Sequence, residues 1–163
     1  MTGRRLGLAL AALGALAAPA PALPQGAPAE QEPRRLEVPE PSLEAMEPAV
    51  RDQLAGARAA LERPDAPPGE RAELYGRLGQ LYLLYELFDA AEAAFANAQT
   101  LAPGDRRWPY YRGAVAQETG RLDDAAGHFE RSLELRPDDL PALLRLGQVE
   151  LDRNRPDEAQ RLF

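Results

Sequence analysis

The chain has no cysteine, no lysine and no isoleucine, and only one histidine, one tryptophan and two serines among its 163 residues. Each absence closes a class of chemistry. Without cysteine there is no disulfide framework, no thiolate zinc site and no cysteine nucleophile. His128 alone makes no recognisable zinc site, and as an isolated residue on a helix face it is expected to be solvated. Neither Ser42 nor Ser132 lies in a nucleophile-elbow sequence, and glycine-rich phosphate loops are absent. The sequence therefore offers no catalytic group, no metal site and no cofactor. With lysine missing, 19 arginines stand against 26 acids, a net charge of −7. That balance argues against a nucleic-acid partner, which would need clustered basic residues to meet the phosphates. Arginine-only basicity with abundant alanine, proline and glycine matches a GC-rich bacterial gene.

Long apolar runs are also lacking. The longest, Leu6–Ala18, has thirteen residues, short of the roughly 20 that span a bilayer. It follows Arg4 and Arg5 and leads to small residues at Ala20 and Ala22, the order of a secretory signal peptide. Cutting after Ala20 would leave Pro21 at the new terminus, so cleavage is expected between Ala22 and Leu23. Residues 1–22 are then the signal peptide, export is to the periplasm or beyond, and no membrane span remains. Whether the Arg4-Arg5 pair directs a twin-arginine route stays open; Gly7 stands where that signal carries an aromatic. Residues 23–42 hold Pro24, Pro28, Pro33, Pro39 and Pro41, a density that forbids helix and sheet and predicts an extended, mostly disordered tether.

The rest of the chain is periodic. Gly79/Ala91, Gly113/Ala125 and Gly147/Ala159 recur every 34 residues, as do Phe95, Phe129 and Phe163, and Asp89, Asp123 and Asp157. Pro103 and Pro137, with Asp105 and Asp139, keep the same step. One supersecondary unit stacked on its copies is the physical meaning of such a period. Apolar residues at helical spacing fill each unit: Leu74, Tyr75, Leu78, Leu81 and Tyr82 in one segment, Phe88, Ala91, Phe95 and Ala98 in the next. No segment alternates as a half-buried strand would. The glycine and alanine are expected to let paired helices approach, and the phenylalanines to fill space between hairpins. On this pairing alanine at Gly113 should be mild. The aspartates are expected to cap the second helices, with Glu92 completing a capping-box-like pair with Asp89.

These columns resemble the tetratricopeptide repeat family. Residues 72–105 match its pattern with Gly79, Tyr82, Ala91, Phe95, Ala98 and Pro103; residues 106–139 with Gly113, Ala125, Phe129 and Pro137, departing at Ala116 and Ser132. Residues 140–163 begin a third copy with Leu143, Leu146, Gly147 and Ala159. A degenerate helix within residues 43–67 is expected to cap the array. The resemblance implies an all-α solenoid of stacked helix hairpins.

It further implies a protein-binding groove lined by the first helices, through repeat positions two, five, nine, twelve and thirteen. Here these give Gln80, Leu83 and Leu84; Arg107, Tyr110, Ala114 and Gln117; and Leu144, Gln148 and Leu151. The lysine and asparagine with which chaperone-binding members clamp a terminal carboxylate are missing, so apolar peptide segments are the expected occupants. The cluster Arg106, Arg107, Trp108, Tyr110, Tyr111 and Arg112 reads either as a recognition patch or as packing between helices. The implied function is a non-catalytic exported scaffold, in envelope assembly or cytochrome maturation as for some relatives. The alternative is an N-terminal docking module of an exported enzyme or transport component whose active domain lies beyond Phe163. The third repeat stops midway through its second helix, so the segment after Asn154 is expected to fray. Oligomeric state is left open.

Overall fold

The computed structural model describes residues 35–163, which hold seven α-helices and no strand. The expected signal peptide, its expected Ala22–Leu23 cleavage point and the part of the expected tether up to residue 34 lie outside the described residues. The helices are α1 Pro48–Leu61, α2 Pro68–Leu84, α3 Phe88–Leu101, α4 Arg107–Glu118, α5 Leu122–Leu135, α6 Leu140–Asp152 and α7 Pro156–Leu162. Proline opens α1, α2, α6 and α7 within the first turn, where its missing N–H removes no helical hydrogen bond. Each helix packs on the next in sequence, and α4 also touches α2 and α6. Hence α2, α4 and α6 form one row, α3, α5 and α7 the other, and α1 lies against α2.

The 34-residue period is visible in the backbone itself. Glu86, Gly120 and Asn154, one per repeat, all turn with positive φ (58°, 72° and 59°) between the paired helices. Glycine takes that conformation freely, so at Glu86 and Asn154 the surrounding hairpin holds the strained turn.

Each repeat glycine faces a ring. A side chain at Gly79 would meet Phe95, one at Gly113 would meet Phe129, and one at Gly147 would meet Phe163. This corrects the expected pairing of glycine with alanine. The phenylalanine of the second helix lies flat in the gap that glycine leaves in the first, and Ala91, Ala125 and Ala159 are buried beside it. Phe95 also stacks on Tyr111 of the following repeat, with ring centroids 4.9 Å apart and planes 9° from parallel. One ring thus closes its own hairpin and seats the next, gaining aromatic pairing beyond its buried area.

The aspartate column does not cap. Leu87, Arg121 and Arg155 hold the cap positions of α3, α5 and α7, and no side chain accepts a capping hydrogen bond there. Asp89, Asp123 and Asp157 sit in the first turn, two residues past the cap, where a carboxylate still favours the positive end of the helix dipole. Asp123 pairs with Arg153 of the next repeat at 2.6 Å. Glu92 likewise serves Arg112, at 2.6 Å, instead of a capping box.

The end of the proline-rich segment is docked. Residues 35–42 have no helix or strand, but the Leu36 N–H donates to Asn97 Oδ1 (2.6 Å) and Asn97 Nδ2 donates back to the Leu36 carbonyl (2.8 Å). Asn97 is fully buried, Val38 packs on the core, and Arg58 reaches the Pro39 carbonyl at 3.3 Å. A tether was expected here. The difference lies in Asn97, whose amide offers the donor and acceptor that an extended backbone needs.

His128 is half-buried, not solvated. Burial, then the nearby Arg112 guanidinium, lowers its pKa from the ordinary histidine value.

Candidate functional site

The row α2, α4, α6 carries the expected groove residues, and its surface differs from that of the other row. Leu84 (69% exposed), Leu140 (68%), Leu144 (60%) and Leu151 (45%) all stand on α2 or α6. Apart from Leu36 and Phe163 they are the exposed large apolar side chains among the described residues, and α3 and α5 have none. Leu140, Leu144 and Leu151 fall at i, i+4 and i+11 along α6, a single stripe interrupted by Gln148. Exposing three leucines on one helix face is costly for a monomer's surface and marks that face for contact.

Polar side chains tie the row together across its surface. Gln80 Nε2 on α2 donates to the Tyr111 hydroxyl on α4 at 2.8 Å. Arg145 on α6 donates to Gln117 Oε1 on α4 at 3.2 Å. Arg107 on α4 bonds both carboxylate oxygens of Glu73 on α2, and its Nε lies 3.0 Å from Asp105. The hydrogen bonds that Arg107 donates to Asp105 and Glu73 hold its pKa above the usual value. Partial burial pushes Asp105 up, but hydrogen bonds from the Arg107 side chain and backbone N–H outweigh it and leave its pKa lowered.

The ten expected groove positions thus separate by environment. Gln80, Leu84, Arg107, Leu144, Gln148 and Leu151 are exposed, and Leu83, Tyr110 and Gln117 are half-buried. Ala114 is buried at 7% and contributes backbone shape more than contact. Tyr110 meets Phe129 edge-on at 5.7 Å and Tyr111 at 5.6 Å, so its ring belongs as much to the core as to the face. Gln148 donates to Asp152 one turn along its own helix at 2.9 Å.

The aromatic–arginine cluster turns out to serve mostly as contacts between helices. Trp108 is 1% exposed and fills the space beside Gly76, with Arg107 over its ring at 4.6 Å. Arg106 pairs with the buried Asp139 at the start of α6, and Ser132 Oγ donates to the Arg106 carbonyl at 3.0 Å. That accounts for Ser132 where the pattern has alanine: its hydroxyl closes a hydrogen bond between α5 and the start of α4.

Of the residues at the sixth repeat position, the sequence singles out only Tyr111, in the aromatic–arginine cluster. Arg77, Tyr111 and Arg145 occupy it on α2, α4 and α6. The signal was present, because position six stands four residues after position two and three before position nine, on the same helix face. Leu140, one turn before Leu144, was missed in the same way.

Among the described residues no group of three or more His, Asp or Glu is placed to hold a metal ion, and no helix is long and apolar enough to cross a membrane.

Comparison with known proteins returns the same architecture. Two tetratricopeptide repeat profiles match, one over residues 72–105 and one over residues 116–163. No curated protein matches. Among solved structures, a crystal structure of MamA protein is similar at 22% identity with a TM-score of 0.63, over 70% of this chain and 60% of that one. MamA from Desulfovibrio magneticus RS-1, residue 41 to the end, aligns at 17% identity and TM-score 0.63, covering 71% of this chain and 63% of its own. MamA AMB-1 aligns at 21% identity and TM-score 0.61, covering 71% and 66%. The chain therefore spans less than two thirds of the length of each of these three structures. At such identities the likeness is one of fold.

Proposed function

The chain belongs to the tetratricopeptide repeat family, and on that premise we propose that it is a non-catalytic, exported scaffold whose α2/α4/α6 face binds apolar segments of protein partners. The observation that supports this most is the confinement of exposed helical leucines to that row. Elsewhere the helices follow the ordinary rule of apolar side chains inward. On α2 and α6 they break it at Leu84, Leu140, Leu144 and Leu151, with amide donors and acceptors between them. A surface of this kind accepts the apolar face of a helix or an extended peptide. The proposal of export rests on the n-region, apolar run and Ala20-x-Ala22 order of the N-terminus. An acidic, cysteine-free chain suits a periplasmic setting, and envelope assembly or cytochrome maturation are the pathways proposed for it.

A photo-activated cross-linker placed at Leu144 in the expressing bacterium tests both parts. Defined cross-links to periplasmic protein from position 144, and none from Gly127 on α5, are expected, on a chain beginning at Leu23. Equal cross-linking from both positions would place binding elsewhere, and an intact Met1 on soluble material would remove export.

A further inference from the structure

The strap at residues 35–42 is held chiefly by its backbone. Asn97 turns both ends of its amide to one residue, accepting from the Leu36 N–H at 2.6 Å and donating to the Leu36 carbonyl at 2.8 Å. The Leu36 side chain meanwhile stands 57% exposed. Arg58 donates to the Pro39 carbonyl at 3.3 Å, and it is positioned there by the hydroxyl of buried Tyr82, 2.7 Å away. The receiving groups are fixed in the interior, whereas every residue from 35 to 42 is exposed or half-buried. Contacts of this kind specify an extended main chain and tolerate varied side chains, with selectivity left to the pocket that takes Val38.

The strap does not fill the groove it lies in. From Asn97 the groove leads back to the start of α3, where Pro39 and Pro41 face Leu87, Phe88 and Ala90. A cavity of about 470 Å³ remains between them, with Thr119 at the end of α4 on its wall.

We propose that this groove on α3 and α1 is a binding site for an extended segment of a protein partner, and that the strap is its resident, displaceable occupant. The partner segment presents the N–H and C=O of one residue to Asn97. Two positions on it carries a branched apolar side chain at the place of Val38, and at the place of Pro41 a large apolar one. That last feature decides the exchange. A strap joined to α1 is present at an effective concentration on the order of mM. A segment from outside displaces it only through contact that the strap lacks, and the cavity beside Pro41 is where such contact is open. The site is separate from the α2/α4/α6 face and does not depend on what binds there.

The test uses the full chain and a capped, fluorescein-labelled peptide of residues 35–42 carrying Pro41→Phe. Anisotropy is read on the wild type and on Val38→Asp, whose strap loses its apolar seat while the helices keep theirs. The variant is expected to bind the peptide at least about tenfold more tightly, because its own strap no longer competes. Methylating the Leu36 nitrogen of the peptide removes the donor to Asn97 and should weaken binding about tenfold. Leu36→Ala in the peptide should change it by no more than about twofold, and restoring proline at position 41 should weaken it. No binding to the variant, equal binding to both chains, indifference to N-methylation, or no gain from the phenylalanine would overturn the proposal. A measurement on the wild type covers the case of a variant that folds poorly. Unlabelled peptide at concentrations on the order of mM should speed hydrogen exchange at the chain's own Leu36 amide, and exchange left unchanged would overturn the proposal equally.

Discussion

The phenyl ring of Phe129 lies where a side chain on Gly113 would have to be, its Cε1 2.8 Å from the position of an added Cβ. Phe129 is fully buried and also meets Tyr110 edge-on, so it has no space into which to retreat.

Gly113→Ala is therefore expected to destabilise the chain, against the earlier expectation from sequence that it would be mild. The helix-propensity gain of about 1 kcal/mol is set against overpacking of about 1–3 kcal/mol. Thermal or urea unfolding checks this. Adding Phe129→Leu should recover part of the loss, giving a clear coupling in a double-mutant cycle. An alanine variant more stable than wild type would show that the ring yields.

Asn97 and the strap at residues 35–42 make a second test. Asn97→Ala deprives the Leu36 N–H and carbonyl of their protein partners and is expected to cost about 1–3 kcal/mol. In hydrogen exchange the Leu36 amide should be protected in the wild type and lose that protection in the variant. A Leu36 amide that exchanges freely in the wild type would mean the strap is not held.

The contrast between these two sites shows what the sequence could convey. The 34-residue columns name the fold because each column is a contact repeated in every hairpin, and repetition is legible without knowing which atoms touch. What each column touches is not. Gly113 faces Phe129 and not Ala125 because the ring tilts back toward the preceding helix, a direction that spacing alone does not carry. Asp89, Asp123 and Asp157 recur at helix starts, but a shift of two residues separates a cap from a first-turn acid. Asn97 occurs once, outside any column, so the docked strap had no periodic signal. Six of the ten expected face residues are exposed, since helical phase fixes direction well.

Stability should fall on mild acidification through His128. Burial, with Arg112 adding to it and Glu92 and Asp124 opposing, lowers its folded pKa, while the unfolded chain has an ordinary imidazole near about 6.5. Between those two values the unfolded state binds more protons, so stability rises with pH across that window and is lost as pH falls through it. Because His128 is the chain's single histidine, its proton resonances titrate without ambiguity. A midpoint below about 6.5 is expected, together with a smaller loss of thermal midpoint on acidification in His128→Gln than in wild type. A midpoint at or above that value would contradict the burial seen here.

The central claim is that partners bind on the first-helix row, and methyl-labelled leucine spectra test it most directly. On adding a helical peptide that carries a single leucine stripe, the resonances of Leu84, Leu144 and Leu151 should shift together and saturate at a common concentration. Leu133 on α5 and Leu162 on α7, packed against the core, should stay in place. Shifts confined to Leu133 and Leu162, with Leu84, Leu144 and Leu151 unmoved, would put the binding surface on the opposite side and contradict the account.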